Sequence, residues 1–145
     1  MRQVFLKSMK KIIIQNEPNY ESKFNSFSYQ EQAVEFVKNK EYAAIFHEQG
    51  LGKTKIALDI SLYWLPKKDI DTVLIVTKKG LVKNWEEETR THSYLHTKVL
   101  NNNKNSNYYV FNSATKLIIT NFETISLEKK RFKLFLKSRN VGVII

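Results

Sequence analysis

The chain has 145 residues, a length typical of one domain, and its 42% hydrophobic and 26% charged residues exclude a disordered tail. It contains no cysteine, which excludes a disulfide scaffold and a thiolate zinc site, and no apolar run reaches the ~18 residues that span a bilayer, so we expect a cytoplasmic protein without a membrane partner. The net charge of +10 favours a polyanionic partner, although a general compositional bias towards lysine explains it equally well.

Short apolar runs rich in β-formers alternate along the chain with amphipathic stretches. This pattern is typical of an α/β fold with a mainly parallel sheet flanked by helices. In chain order it predicts a helix over residues 29–39, a strand over 42–46, a helix over 53–65, a strand over 72–77, a helix over 80–90, a short strand over 98–100, a polar loop over 101–107, a strand over 117–121, a helix over 122–137 and a strand over 141–145. Ser26 or Ser28 is the candidate cap of the first helix.

The strongest functional signal is the segment E-Q-G-L-G-K-T, which comprises Glu48, Gln49, Gly50, Leu51, Gly52, Lys53 and Thr54. It follows a predicted strand and opens a predicted helix, which is the context of a loop that binds phosphates. Its glycines allow successive N–H groups to point into one concavity, and the helix N-terminus adds partial positive charge there. Lys53 has the reach to contact β- and γ-phosphates, and the Thr54 hydroxyl suits Mg²⁺. The alternative is a helix that a glycine turn merely caps.

Basic and polar side chains follow two of the predicted strands at the point where each strand ends. They are Thr77, Lys78, Lys79, Lys83, Thr120 and Asn121. Ligands of an open α/β sheet bind at the carboxyl ends of its strands, and these side chains suit phosphate oxygens. The alternatives are a solvated basic turn for the lysines and a helix cap for Thr120 and Asn121.

Residues 47–54 resemble motif I of the superfamily 2 helicases. The segment is most similar to the D-E-x-G-x-G-K-T form of the Swi/Snf-type DNA-dependent ATPases, with His47 in the place of the usual aspartate. Three other segments follow in the family's order, since Tyr29 and Gln30 resemble the Q-motif, residues 73–88 (VLIVTKKGLVKNWEEE) resemble motif Ia and residues 118–125 (IITNFETI) resemble motif Ib. The resemblance covers about residues 27–145 and implies a partial RecA-like P-loop domain.

The resemblance also implies ligands and site residues. ATP and Mg²⁺ would be held by the motif I segment, with Thr54 on the metal and Gln30 on the adenine, while the residues of motifs Ia and Ib would contact the backbone of double-stranded DNA. The amide of Gln30 can both donate to and accept from an adenine edge. Its alternatives are a helix cap and a solvated side chain.

Two parts of the family's motor are not found in these 145 residues, namely the D-E-x-H box of motif II and the second RecA-like lobe. We therefore expect residues 1–25 to form an N-terminal extension and residues 26–145 an incomplete first lobe, which binds nucleotide but is inactive alone. The parent would be an ATP-dependent double-stranded DNA translocase, of bacterial or phage rather than nuclear origin. The alternatives are another superfamily 2 motor, such as a restriction-type translocase or an RNA helicase, and a non-catalytic nucleotide- or DNA-binding module.

Overall fold

The computed structural model describes residues 18–67 and 69–145, so most of the predicted extension lies outside the described residues. The helices are α1 (Ser28–Val37), α2 (Lys53–Trp64), α3 (Val82–His92), α4 (Lys104–Phe111), α5 (Phe122–Leu127) and α6 (Lys129–Ser138), with a 3-10 turn over Lys79–Leu81. The strands are β1 (Thr72–Thr77), β2 (Thr97–Val99), β3 (Leu117–Asn121) and β4 (Val141–Ile144). Within the described ranges, every helix is too short or too polar to traverse a bilayer.

The four strands form one parallel sheet in the order β2-β3-β1-β4. β1 and β3 are aligned from Val73 opposite Leu117 to Thr77 opposite Asn121. Because parallel strands end at the same edge, the segments that follow β1 and β3 lie side by side. The predicted α/β fold with a mainly parallel sheet is therefore confirmed.

Helices cover both faces of the sheet, which explains why β1 and β3 are buried along their whole length. On one face, Leu58 of α2 belongs to the same core cluster as Ile75 of β1. On the other face, Phe132 and Phe135 of α6 pack with Leu74 of β1. Burial on two faces is the physical reason for the unbroken apolar character of T-V-L-I-V-T.

The predicted strand over residues 42–46 is wrong. Tyr42 and Phe46 are 85% and 93% exposed, and the segment has no strand assignment. The edge strands β2 and β4 each keep one open side, but the segment pairs with no strand among the described residues. A β-rich composition is not enough to form a strand, because a strand needs a partner that only the tertiary structure supplies. Only Ile45 packs inward, against Ile56.

Three other predictions need correction. The predicted polar loop over residues 101–107 is helical from Lys104 onward, because Asn103 caps α4 by accepting from the N–H groups of Asn105 and Ser106. The predicted helix over residues 122–137 is two helices that meet at the buried Glu128. Neither Ser26 nor Ser28 caps α1, whose N-cap residue is Phe27.

Candidate functional site

The predicted phosphate loop leads directly into α2 and has the backbone conformation that its glycines allow. Gly50 has a φ of +89° and Gly52 a φ of +70°, and these are the positive φ values among the described residues. L-residues with a side chain rarely adopt this conformation. The two glycines of the motif are therefore required by the shape of the loop.

The loop presents hydrogen-bond donors at its centre. Lys53 is exposed, and its Nζ donates to the backbone oxygens of His47 and Glu48, at 2.9 Å in each case. The N-cap of α2 is Gly52, and no side chain caps the helix. Since the first N–H groups of a helix have no partner inside it, the start of α2 leaves donors for an anion. Thr54 is half-buried in the same turn.

Gln30 lies against the loop although it precedes Leu51 by 21 residues. Its side chain is buried, and Oε1 accepts from the N–H of Phe27 at 3.0 Å while Nε2 donates to the backbone oxygen of Leu51 at 3.3 Å. A Cβ added to Gly52 would lie 2.4 Å from Nε2 of Gln30. The fold thus brings Gln30 into contact with the predicted phosphate loop, and its bond to the N-cap residue Phe27 is the helix-cap alternative left open by the sequence.

Glycine substitutions are expected to separate backbone strain from crowding. Gly52→Ala should destabilise the fold most, because it places a side chain at positive φ, costing ~1–2 kcal/mol, and displaces the buried Gln30 amide, costing about 1 kcal/mol more. Gly50→Ala should cost only the ~1–2 kcal/mol of backbone strain, since nothing lies within 4 Å of its added Cβ. Gly80→Ala is the control, with equal space and no positive φ. Urea unfolding measures the free energy of unfolding of each variant. Equal losses of stability in Gly52→Ala and Gly80→Ala would contradict this prediction.

The side chains predicted to bind a nucleic acid backbone lie at the carboxyl edge of the sheet, but they differ in accessibility. Lys78, Lys79 and Lys83 are exposed, whereas Thr77 is 8% exposed and Thr120 is fully buried. The register of β1 and β3 pairs Thr77 with Asn121, so the residues that follow β1 lie beside those that end β3. Of the six residues, the three lysines offer their charges to solvent.

The remaining predicted residue, Asn121, is engaged locally. Its Oδ1 accepts from the N–H of Thr124 at 2.9 Å and so caps α5, which is the alternative left open by the sequence. Thr120 donates a long hydrogen bond of 3.5 Å to the oxygen of Leu100. Both side chains therefore have structural partners at this edge.

An open groove of about 800 Å³ runs along this edge. It is lined by Lys79, Val82, Val99, Asn101, Asn102, Asn103, Lys104, Asn105 and Asn121. Residues 101–103 form the asparagine loop, a part of the groove wall that none of the sequence motifs indicated. Its position directly after β2, at the edge where α/β sheets bind ligands, is the signal that could have identified it.

The asparagine loop is held in a fixed shape from behind. The fully buried Asn107 donates from Nδ2 to the oxygen of Asn101 at 2.7 Å and to Oε1 of Glu128 at 3.0 Å. Its Oδ1 accepts from the N–H of Asn101 at 3.0 Å. Arg131 adds a bond of 2.7 Å to the oxygen of Lys104. The groove wall is therefore built by hydrogen bonds rather than left as a free coil.

Comparison with known proteins gives a family and a fold. Residues 23–145 match the family model ResIII, described as "Type III restriction enzyme, res subunit". Among solved structures, the chain is similar to the "Sulfolobus solfataricus SWI2/SNF2 ATPase core in complex with dsDNA", with a TM-score of 0.63, 20% sequence identity and 88% of the chain covered. The match covers 32% of that structure's chain, so the present sequence spans about a third of its length. No curated protein matches the sequence significantly.

Proposed function

The chain belongs to the ResIII family of helicase-like motors, and on that premise we propose that it is a nucleotide-binding part of an ATP-dependent double-stranded DNA translocase. The observation that carries the proposal is the conformation of the phosphate loop. Two glycines at positive φ, an exposed lysine and an uncapped helix N-terminus meet within residues 50–54. These are the elements that hold nucleotide phosphates in other loops of this kind.

The residues present fit the phosphates of ATP together with Mg²⁺. Backbone N–H groups at the start of α2 and the Lys53 ammonium would hold the phosphates, with Glu48, Gln49 and Leu51 shaping the loop. The Thr54 hydroxyl would supply a ligand to Mg²⁺, which prefers oxygen and neutralises phosphate charge when bound. Lys53 now donates to two backbone oxygens, and those weaker acceptors would give way to charged phosphate oxygens.

Gln30 has the hydrogen-bonding capacity to select adenine. A carboxamide offers two donors and two acceptor lone pairs, and Phe27 and Leu51 use one of each. One donor and one acceptor remain, which match N7 and the N6 amino group of adenine. Guanine presents two acceptors, N7 and O6, at the same edge and would leave the Gln30 oxygen opposite an oxygen. The hydrogen-bond donor and acceptor that Gln30 still has free therefore favour ATP over GTP.

Calorimetric titration with ADP·Mg and GDP·Mg tests the proposal. We expect ADP to bind about tenfold more tightly, because one hydrogen bond is lost and two acceptors face each other with guanine. Equal affinities would contradict the adenine role of Gln30 alone. Absence of binding by either nucleotide would contradict the proposed function.

The proposed DNA contact lies on the carboxyl edge of the sheet. Lys79, which lines the groove, and the exposed Lys78 and Lys83 beside it in the chain would contact phosphates, with Thr77, Thr120 and Asn121 at the ends of β1 and β3. The double-stranded DNA bound to the similar Sulfolobus structure supports double-stranded DNA as the partner. Contacts to backbone phosphates carry no sequence information, so the proposed binding is independent of sequence.

We expect this chain to bind ATP without hydrolysing it. Hydrolysis requires a placed water and neutralisation of charge on the γ-phosphoryl group, for which motors of this kind use an Asp–Glu pair and an arginine finger. The sequence has three aspartates, none followed by glutamate, and Glu48 precedes the loop centre. Phosphate release with saturating ATP, Mg²⁺ and double-stranded DNA should stay at background. DNA-stimulated release that Lys53→Ala abolishes would contradict this expectation.

A further inference from the structure

A partly buried polar cluster joins the start of α1 to α2 and belongs to none of the motifs. It consists of Ser26, Lys55 and Asp59. Lys55 is 6% exposed, and its Nζ donates to both carboxylate oxygens of Asp59, at 2.5 and 2.6 Å, and to Oγ of Ser26 at 2.7 Å. The Ser26 hydroxyl in turn donates to Oδ2 of Asp59. The three groups thus form a closed network.

The network joins two elements that each carry part of the nucleotide site. Lys55 and Asp59 lie one turn apart on the same face of α2, immediately after the phosphate loop. Ser26 directly precedes Phe27, the N-cap of α1, and Gln30 lies in the first turn of that helix. The Cβ of Lys55 would be 3.9 Å from a Cβ at Gly52. The network therefore lies next to the contact between Gln30 and the loop.

The start of α1 makes few apolar contacts. The apolar contact between α1 and α2 begins one turn later, where Ala33 and Val34 pack on the cluster of Val37, Ile56 and Ile60. At the N-terminal end of α1, Phe27 is 68% exposed, and Gln30 is the buried residue of the first turn. Without Ser26, the first turn would keep the two hydrogen bonds of Gln30 and the ring contact between Tyr29 and His47, but no hydrogen bond to α2 beyond the loop.

We propose that Ser26, Lys55 and Asp59 are positioning residues that fix the Gln30 amide against the phosphate loop and so set the preference for adenine. The inference rests on the proposed function, because it concerns the base selected at the same site. A largely buried ion pair contributes little net stability, since desolvation offsets its Coulomb energy, and the role proposed for this pair is to specify one geometry. A fixed carboxamide discriminates between bases, whereas a mobile one rotates to satisfy either.

The variants are chosen to remove the hydrogen bonds between Ser26 and the Lys55–Asp59 pair without unfolding the protein. Ser26→Ala removes the α1 side of the network and leaves the ion pair intact. The double variant Lys55→Met/Asp59→Leu removes both charges together and leaves no unpaired buried charge. Ser26→Thr keeps a hydroxyl and should rescue the preference. Ser28→Ala is the matched control, since this exposed serine lies two residues away and makes no side-chain bond among the described contacts.

The readout is the ratio of dissociation constants for GDP·Mg and ADP·Mg, which a general loss of stability would not change. We expect Ser26→Ala and the double variant to lower the ratio about three- to tenfold through weaker ADP binding, with GDP affinity unchanged. Ser26→Thr and Ser28→Ala should keep the original ratio. Unchanged ratios in Ser26→Ala and the double variant, with nucleotide still bound, would overturn this inference alone. Failure of the unaltered chain to bind any nucleotide would overturn the proposed function and this inference with it.

Discussion

Replacing Lys53 by alanine is expected to weaken ADP·Mg binding about 10- to 150-fold, which corresponds to the ~1.5–3 kcal/mol of a hydrogen bond to a charged group. The ammonium lies where the loop closes, and its present partners are two backbone oxygens. The side chain is exposed and packs in no core cluster, so the substitution should leave the fold intact.

The matched control for this change is Lys130→Ala. Lys130 is also an exposed lysine in the first turn of a helix, but it lies on α6, which packs on the opposite face of the sheet from α2. It removes the same charge and should leave ADP affinity unchanged. Calorimetry on both variants, with a urea unfolding curve for each, separates a local contact from general electrostatics. Equal affinities for the unaltered chain and Lys53→Ala would mean that the loop is not the site.

Replacing Lys78, Lys79 and Lys83 together by alanine is expected to flatten the salt dependence of DNA binding. Each phosphate contact contributes about 0.9 to the slope of log K against log salt on duplex DNA, so the loss of three contacts should reduce the slope by up to about 2.7. The affinity for a random duplex at low salt should fall by several orders of magnitude. All duplex sequences should be affected alike, because only the backbone is contacted.

The control for this experiment removes the same number of charges from other parts of the surface. Lys40, Lys67 and Lys116 follow α1, follow α2 and precede β3, respectively, so none of them lies in the segments that follow the carboxyl ends of β1 and β3. Their replacement should change the slope much less. Equal slopes of log K against log salt for the two triple variants would mean that the DNA contact does not lie at Lys78, Lys79 and Lys83. Tighter binding of duplex RNA than of duplex DNA would favour an RNA-directed motor.

The local parts of this fold and site could be predicted from the sequence. A glycine at positive φ, a lysine and a helix start are adjacent in the chain, so E-Q-G-L-G-K-T specifies its own loop. The buried strands β1 and β3 are equally local, because burial on both faces requires an unbroken apolar run. The position of Gln30 beside the loop followed only from the family resemblance, since 21 residues separate the two partners.

The features that could not be predicted from the sequence depend on contacts between distant parts of the chain. Residues 42–46 have the composition of a strand but pair with no described strand, and composition alone does not supply a partner. The break between α5 and α6 has no proline or glycine to mark it and occurs where Glu128 turns inward to Asn107. The start of α4, by contrast, could have been found, because Asn103 is a strong N-cap residue. The network of Ser26, Lys55 and Asp59 joins residues up to 33 positions apart and no local pattern indicates it.

The binding of ATP phosphates by residues 48–54 is tested most directly by amide chemical-shift mapping during titration with ADP·Mg. We predict that the largest shifts fall on the backbone N–H groups from Gly50 to Lys55, with a second set at the backbone and side-chain amides of Gln30. The same titration of Lys53→Ala should need a much higher nucleotide concentration. Shifts confined to the groove around Lys79 and Asn121, with the loop amides unmoved at saturation, would contradict the account.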